Sequence, residues 1–369
     1  MKYNDLIELK RRMEFNMTES EVLVKLVDEA NRKGEKVQKE NRRLKTISEK
    51  IFNKLLSKSD KILFREDDLS IEYKATQICT VGIDGSFYKI GGVGGKWYSP
   101  YAIVRILFEK GIISMPVVDV YSAGIEEIEE QKYQNVDQEA SLRMLAGETK
   151  AISNWGAKNI TSIVFIDGPI ADPPAYMNRD YIENRCKAIK KSLTRSMVIG
   201  CVKRSRDAFF LKYFEKLLEL KEGELEKNFL SDQYIFAYFF SNLRIKNVYK
   251  GVLYSRPIDI SDYGVHTLYK EYGVHIYSSF YQKSIDSKIL RIDIPFLETD
   301  VEKAEEIILK AIKASADWQY PKQYIPLPVQ LAHEKCKIRG GTAEVLYDEI
   351  LTKSRSSSVE EQITMLQLR

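Results

Sequence analysis

Cysteine and histidine are scarce in this sequence. Its 369 residues contain four cysteines and three histidines, and the cysteines lie far apart with no CxxC pair. A structural zinc site or a disulfide framework needs more of these residues at closer spacing, so both are excluded. Long apolar runs are also absent, and charged residues occupy the N-terminal stretch where a signal peptide would be apolar. We therefore expect a cytoplasmic protein that does not enter a membrane.

An excess of charge of one sign is lacking as well. Lysine and arginine number 57 against 53 aspartates and glutamates, which gives a net charge of +4. A chain with this balance binds nucleic acid only through local basic patches. The glycine cluster GGVGG at 91–95 lacks the order of a phosphate loop and the helix that follows one, so it predicts a hairpin turn. With no Walker sequence, the chain is not predicted to hydrolyse ATP.

Hydrophobic periodicity divides the chain into three regions of an α/β protein. Residues 1–58 have the pattern of charged helices, and Gly34 is expected to divide them into a helical hairpin that braces the core. A partner-binding coiled coil is the alternative, but the heptads are few. Residues 70–345 are predicted to form the central domain, with a helical insertion at about 206–246. Residues 346–369 are predicted to form a C-terminal helix and tail.

In two stretches of the central domain, an apolar run of strand length ends in the dipeptide Asp-Gly. They are QICTVGIDGS at 77–86 and SIVFIDGP at 162–169. Each places a carboxylate, Asp84 or Asp167, where a strand leaves the sheet, and we expect both at one end of one sheet. Two carboxylates there repel each other unless a cation lies between them, and Mg²⁺ or Mn²⁺ takes such ligands. The alternative is two ordinary turns, since Asp-Gly is a common turn dipeptide.

A third carboxylate comes from the helix predicted at about 136–156. Three strands, this helix, a strand and a second helix follow one another along the chain. Glu148 lies in the apolar stripe that should face the sheet, where a carboxylate indicates a role beyond solvation. Glu139 is the rival, although an acid near a helix start is expected from the helix dipole alone. We prefer Glu148.

Basic residues and a late histidine complete the candidate site. The strand predicted at 197–203 ends at Lys203, and Arg204 and Arg206 follow it. A lysine at a strand end could hold a phosphate or the attacking water, and the arginines could contact a DNA backbone, although such a cluster is usually a solvated turn. His333 lies on a predicted helix. A lone helical histidine is usually structural, but next to a group of acids it could bind metal or transfer a proton.

Six short motifs, taken in order, give the chain a resemblance to a known family. They are VGIDGS at 81–86, the helix with Arg143 and Glu148, FIDGP at 165–169, CVKRS at 201–205, ILRIDIP at 289–295 and LAHEKCKI at 331–338. The ordered set resembles the NurA nuclease family over about residues 75–340. The family's acidic positions fall on Asp84, Glu148 and Asp167, and its late histidine falls on His333.

The resemblance implies an RNase H-like mixed sheet flanked by helices, and a metal-dependent DNA nuclease. The implied activities are 5′–3′ exonuclease and single-strand endonuclease. The implied assembly is a homodimer that docks on the hexameric DNA-translocating ATPase HerA, in DNA end resection, repair or phage defence. We expect the aromatic segment 234–240 to form part of the dimer contact.

The residues themselves predict the same chemistry. Two Mn²⁺ or Mg²⁺ ions held by shared carboxylates would activate a water and stabilise the departing oxygen of a phosphodiester. Asp84 would bridge both ions, Glu148 and Asp167 would complete the two sites, and His333 would help to hold the second. Lys203 would neutralise phosphate charge. The predicted DNA contacts are Ser86, Lys203, Arg204 and Arg206.

Three other functions stay open at this point. The chain could be a catalytically inactive adaptor that docks a ring ATPase through its helices. It could be a nuclease of the restriction-endonuclease-like class, although the ExK tripeptide of that class is missing from the predicted strands. A transposase or another RNase H-like nuclease is also compatible, because fold does not determine function.

Overall fold

One mixed β-sheet runs through the centre of the molecule. The computed structural model describes residues 19–58, 62–65, 73–91, 96–129, 135–172, 178–218, 231–247, 250–298 and 303–354. The spatial order of the strands is β1-β8-β10-β11-β7-β6-β2-β4-β3, with β5 on β4 and β9 on β10. The strands are β1 (Leu63–Arg65), β2 (Thr80–Phe87), β3 (Ile90–Gly91), β4 (Lys96–Phe108), β5 (Val117–Glu129), β6 (Ser162–Asp167), β7 (Ser196–Val202), β8 (Leu253–Ser255), β9 (Ile258–Asp259), β10 (Val274–Gln282) and β11 (Leu290–Leu297).

The strands β5-β4-β2-β6-β7 form the part of the sheet that positions the acidic residues. The β2–β4 and β4–β5 pairs are antiparallel, whereas β2–β6 and β6–β7 are parallel. Three antiparallel strands, a helix, a parallel strand, a helix and a further parallel strand make an RNase H-like core. The predicted α/β fold class is therefore confirmed.

Helices cover both faces of this sheet and enclose two apolar cores. One core lies under the helices that follow β5 and β6 and includes Trp155 and Ile189. The other lies under the two helices after β11 and includes Trp318 and Val329. Among the described residues, no helix is both long and apolar enough to cross a membrane. The helices are α1 (Ser20–Ser57), α2 (Val136–Ala157), α3 (Arg179–Leu193), α4 (Phe209–Tyr213), α5 (Asp232–Asn247), α6 (His266–Glu271), α7 (Ala304–Trp318), α8 (Leu327–Cys336) and α9 (Gly340–Ser354).

The helical hairpin predicted for the N-terminal region is wrong over the residues that the structure describes. The helix α1 runs unbroken from Ser20 to Ser57 and passes through Gly34. A single glycine costs a helix only about 1 kcal/mol, and its neighbours are mostly strong helix formers, so it does not end the helix. Residues 1–18, the rest of that prediction, and the tail predicted beyond 354 lie outside the described residues.

The aromatic segment 234–240 packs mainly inside its own chain. Phe236, Phe239 and Phe240 are buried. The ring of Phe236 stacks on Phe280 with centroids 5.1 Å apart, and Phe239 meets Phe52 of α1 edge-on at 5.5 Å. The prediction that this segment forms a dimer contact is therefore wrong for its phenylalanines, which instead attach α1 to the body of the molecule.

Candidate metal centre

The parallel pairing of β2 with β6 brings two acids to one end of the sheet. Ile83 lies opposite Ile166, the last pair between these two strands, so Asp84 and Asp167 come directly after that pair. The strand β2 was expected to end at Asp84, but its pairing with β4 continues to Phe87. Both side chains are largely shielded from solvent. The sequence prediction that these two carboxylates share an edge of the sheet agrees with this geometry.

Helix α8 brings His333 to the same point. Its Nδ1 lies 2.8 Å from Oδ2 of Asp84 and 3.2 Å from Oδ2 of Asp167. One ligand atom from each of the three residues lies within 4.8 Å of the other two. Residues far apart in the sequence thus form one compact group of two carboxylates and an imidazole.

The even-numbered residues of β2 attach α8 to the sheet. A side chain at Gly82 would place its Cβ 2.2 Å from the backbone carbonyl atoms of Pro328, so only glycine permits this close approach. The hydroxyl of Ser86 donates to the carbonyl of Cys336 at 2.6 Å and accepts from the amide of Ile338 at 3.1 Å. Ser86 was predicted to contact DNA, and the structure shows its hydroxyl engaged in holding the end of α8.

Glu148 approaches the two acids from α2, on the opposite face of β2. It is almost fully buried, and its Oε2 has no hydrogen-bond partner. A Cβ at Gly85 would lie 2.9 Å from Oε1 of Glu148, so the missing side chain leaves room for this carboxylate. Burial, and then the negative charge of Asp84, raise the pKa of Glu148 well above its usual value, and Arg185 opposes them.

The rival residue Glu139 has a different environment. Its Oε1 accepts a hydrogen bond from Nε of Arg143 at 2.9 Å, and Arg143 also pairs with Glu126 of β5 at 2.8 Å. This is a partly exposed ion-pair group at the start of α2. Of the two candidate glutamates, Glu148 is the one that the acids of the metal centre influence electrostatically.

Charge repulsion and a lysine set the ionisation of Asp167. Burial, and then the negative charge of Asp84, raise its pKa to about 6, although Lys203 lowers it. Nζ of Lys203 lies 2.5 Å from Oδ2 of Asp167. The hydrogen bond to Asp84 raises the pKa of His333 against the opposite effect of partial burial. The centre therefore gathers negative charge that its own cations balance only in part.

The turn after β7 presents the predicted basic residues. Lys203 points into the centre, whereas Arg204 and Arg206 are exposed beside it. The carbonyl of Lys203 accepts hydrogen bonds from Nε2 of Gln233 at 2.9 Å and from the hydroxyl of Tyr324. Helix α5 and the segment before α8 thus hold this turn in place.

Sequence reasoning missed two neighbours of the acids. The thiol of buried Cys336 donates to Oδ2 of Asp84 at 3.4 Å. Buried Arg185 donates to Oγ1 of Thr149 at 3.3 Å and is the cation that acts on Glu148. The spacing of Cys336, three residues after His333, could have revealed its position, because both lie on one face of a helix. No local signal marks Arg185.

This donor set fits a hard divalent cation. Carboxylate oxygens suit Mg²⁺ and Mn²⁺, and an imidazole is compatible with Mn²⁺. The orphaned Oε2 of Glu148 is a buried acceptor that lacks a hydrogen-bond partner in the described part of the chain. Buried polar atoms are rarely left in this state, so the orphaned oxygen needs an explanation such as an ion.

A family model described as the NurA domain matches residues 32–338. The chain belongs to the NurA family. No curated protein matches the sequence. The crystal structure of the NurA nuclease from Sulfolobus solfataricus is similar, with 13% sequence identity, a TM-score of 0.57, and coverage of 93% of this chain and 99% of that chain. A second structure, described as NurA, has 11% identity, a TM-score of 0.43 and coverage of 74% and 88%.

These structural similarities support the fold, whereas the chemistry of the site must be argued from its residues. At such identities a structural match shows the fold alone, and only the first TM-score is high enough to carry that conclusion. The NurA match contains β2, β6, α2 and α8, the elements that build the metal centre. The start of α1 and all of α9 lie outside it.

Proposed function

We propose that this chain is a metal-dependent deoxyribonuclease that hydrolyses phosphodiester bonds at the metal centre. The observation that carries the proposal is the meeting of Asp84, Asp167 and His333 within 4.8 Å, in a chain of the NurA family. Glu148 beside Gly85 supplies a further carboxylate. Asp84, Glu148, Asp167 and His333 would hold Mn²⁺ or Mg²⁺ in a two-metal site.

The bound ions supply an activated water and stabilise the charge on the departing oxygen. The protein's residues hold and orient the reacting groups. His333 hydrogen-bonds Asp84 and keeps its carboxylate aimed at the centre, and its imidazole can transfer a proton. Lys203 pairs with Asp167 at the centre and would neutralise charge on the scissile phosphate.

The surface beside the centre binds the DNA backbone. Lys203, Arg204 and Arg206 follow β7, and the two arginines are exposed. Arginine contacts phosphates bidentately and positions a nucleic acid without reading its sequence. Ser86 contributes indirectly, because its hydroxyl holds α8 and thereby His333.

The family supports a wider context for this activity. We propose that the chain acts as a homodimer with a HerA-type hexameric ATPase, in DNA end resection and repair or in phage defence in the cytoplasm. The 5′–3′ exonuclease and single-strand endonuclease activities belong to the same proposal. Co-elution of the purified chain with a HerA-type ATPase tests the partnership directly.

A nuclease assay tests the activity. Purified protein is incubated with labelled single- and double-stranded DNA and Mn²⁺, with and without EDTA. We expect cleavage that EDTA abolishes and that Asp84→Asn lowers at least about tenfold, the scale at which metal sites respond to lost partners. Asp137→Asn, which changes an exposed acid paired with Lys89 at 3.0 Å, is the matched control and should cleave normally.

The possible outcomes separate the alternatives. Folded wild-type protein that leaves both DNA forms intact with either metal would support the inactive adaptor instead. Joined DNA strands among the products would indicate a transposase. Full activity in Asp84→Asn would show that the catalytic site lies elsewhere.

A further inference from the structure

The first two thirds of α1 have little contact with the other residues that the structure describes. The buried residues of this helix are Ser48, Ile51, Phe52 and Leu55, all near its C-terminal end. Leu44 and Ile47 are half-buried against the same core, and residues 19–43 are exposed apart from Leu23 and Val27. At 1.5 Å per residue, residues 20–43 make a projecting helix about 36 Å long.

The apolar stripe that attaches α1 to the core continues along this projecting part. The stripe has alternating spacings of four and three residues, which is the heptad seam of a coiled coil. The unbroken passage through Gly34 makes the seam continuous. Its members are Leu23, Val27, Ala30, Gly34, Val37, Asn41, Leu44, Ser48, Ile51 and Leu55.

The uncovered half of the seam needs a partner. A lone helix is marginally stable in water, and protein helices are stabilised mainly by packing an amphipathic face. Val37 on the seam is 52% exposed, and a Cβ at Gly34 would meet no atom within 4 Å. Small residues such as Ala30 and Gly34 allow a second helix to approach closely.

Charge distribution identifies the partner and its direction. The acidic residues Glu21, Asp28 and Glu29 outnumber the single lysine, Lys25, between 20 and 31. Between 32 and 43 six basic residues face two acids, although two of the six, Arg32 and Lys33, pair with Glu29 in the same helix. Two copies laid antiparallel place each acidic half on a basic half, whereas a parallel pair places like charges together. The charged residues between 32 and 43 are Arg32, Lys33, Glu35, Lys36, Lys39, Glu40, Arg42 and Arg43.

We propose that the projecting halves of α1 from two copies of this chain pair as an antiparallel coiled coil. The contact is self-complementary about a two-fold axis, as the commonest homodimers are. The inference specifies the interface of the proposed dimer and does not depend on the nuclease chemistry.

Matched substitutions on and off the seam test the interface. Val37→Glu puts a charge on the seam, and Val22→Glu makes the same change at a residue of similar exposure, 52% against 48%, on the outer face. By size-exclusion chromatography with light scattering, we expect wild type and Val22→Glu at twice the chain mass of 42.7 kDa, and Val37→Glu at the monomer mass.

Several results would overturn the proposal. A monomeric wild-type protein would show that another part of the chain or another partner covers the seam. A dimeric Val37→Glu variant would place the dimer contact elsewhere. Circular dichroism shows whether the variants keep their helix. The nuclease assay run on the same samples keeps a failed interface distinct from a failed catalytic proposal.

A distance measurement tests the direction of the pair. Nitroxide labels are attached at Val22→Cys in a Cys79→Ser background, which removes a partly exposed cysteine. Pulsed electron paramagnetic resonance then measures the distance between the starts of the two helices. Antiparallel pairing centred near residue 32 predicts about 30 Å between the labelled backbones, from the rise per residue. A separation near 10 Å, the spacing of adjacent helices, would contradict it. Glu21→Lys, Asp28→Lys and Glu29→Lys combined should weaken the dimer at least tenfold.

Discussion

At the scale of single residues, an unpaired carboxylate is the feature that most needs a function. Glu148 is buried with one oxygen unpartnered and with Asp84 and Asp167 as negative neighbours. Burying a charged or polar group without a hydrogen-bond partner lowers the stability of the fold. A glutamate in this position is therefore not explained by stability alone. Gly85 leaves space for this carboxylate at the end of β2. A divalent cation bound at this point would explain why Glu148 is a carboxylate and why residue 85 is a glycine.

Replacing Glu148 separates function from stability. Glu148→Gln keeps the shape of the side chain but removes a charged ligand, so Mn²⁺-dependent cleavage should fall at least about tenfold. The thermal midpoint should stay constant or rise, because a neutral amide has no buried charge to desolvate. Cleavage rates and thermal unfolding of the same preparation provide both readouts.

The same substitution at Glu139 is the matched control. Glu139 lies on the same helix and pairs with Arg143 at the surface, where such ion pairs contribute little. Glu139→Gln should keep the wild-type cleavage rate. Loss of activity in Glu139→Gln with normal activity in Glu148→Gln would reverse the choice between the two glutamates.

The acids were more predictable from the sequence than their neighbours. Asp84 and Asp167 end apolar runs, and this local pattern marks strand ends whatever the partner strand is. The contacts of Cys336 and Ser86 depend on where α8 packs, some 250 residues away along the chain. Local periodicity contains no information about such pairings.

At the scale of elements, the docking of α8 on β2 controls the position of His333. Gly82 lies against the backbone at Pro328, and Ser86 holds the chain at Cys336 and Ile338. These contacts lie at the two ends of the helix, with His333 between them. The metal centre therefore depends on a helix that is fixed at both ends to one strand.

A methyl group at Gly82 should displace this helix. The clash in Gly82→Ala is with backbone atoms at 2.2 Å, which cannot rotate away. We expect a loss of about 1–3 kcal/mol in unfolding free energy, typical of overpacking, together with weaker cleavage as His333 moves. Denaturant unfolding and the nuclease assay measure the two effects.

Gly341→Ala is the control for this change. A Cβ at this position in α9 meets no atom within 4 Å, so the substitution should leave stability equal or higher by about 0.5–1 kcal/mol. Equal effects of the two substitutions would show that the Gly82 contact does not matter.

Element boundaries show what local patterns miss. The strand β5 begins only at Val117 and continues to Glu129, because Gly111 has φ +67 and begins a short 3₁₀ turn before the strand. The acidic residues Glu126 and Glu127 lie within this strand and pair with Arg143 and Lys96. Partners on other elements let a charged segment extend an edge strand.

At the scale of the whole molecule, buried polar groups beyond the metal centre affect stability. Arg291 of β11 is buried and pairs with Asp293 at 2.8 Å and with Asp207 at 2.7 Å. His266 of α6 lies against the ring of Phe209, with Nδ1 2.7 Å from the carbonyl of Tyr263.

The buried histidine should make the fold sensitive to acid. Burial lowers the pKa of His266, and the positive charge of Arg291 lowers it further. The negative charges of Asp293 and Asp207 act in the opposite direction. The unfolded chain then binds a proton near pH 6.5 while the folded chain does not, so stability rises with pH in the window just below 6.5. His266→Phe should flatten this slope by up to about 1.4 kcal/mol per pH unit.

Chemical unfolding between pH 5 and 7.5 measures this effect. An unchanged slope in His266→Phe would assign the acid sensitivity to other groups.

The overall topology was predictable only in its first half. The resemblance to the NurA family implied the RNase H-like core, and the order of three strands, a helix and a strand could be predicted because each of these elements is local along the chain. The strands β8, β10 and β11 come later in the chain, and nothing in their local patterns indicates that β11 pairs with β7. That pairing closes a long stretch of chain, and it brings Arg291 close to Asp207, which follows β7.

The most direct test of the central claim is the position of Mn²⁺ in a crystal, located by anomalous scattering. The account predicts an ion bound between Asp84 and Asp167, with His333 or Glu148 among its ligands, and no such peak in Asp84→Asn. Manganese bound elsewhere, with Asp84 and Asp167 making no contact to it, would contradict the account.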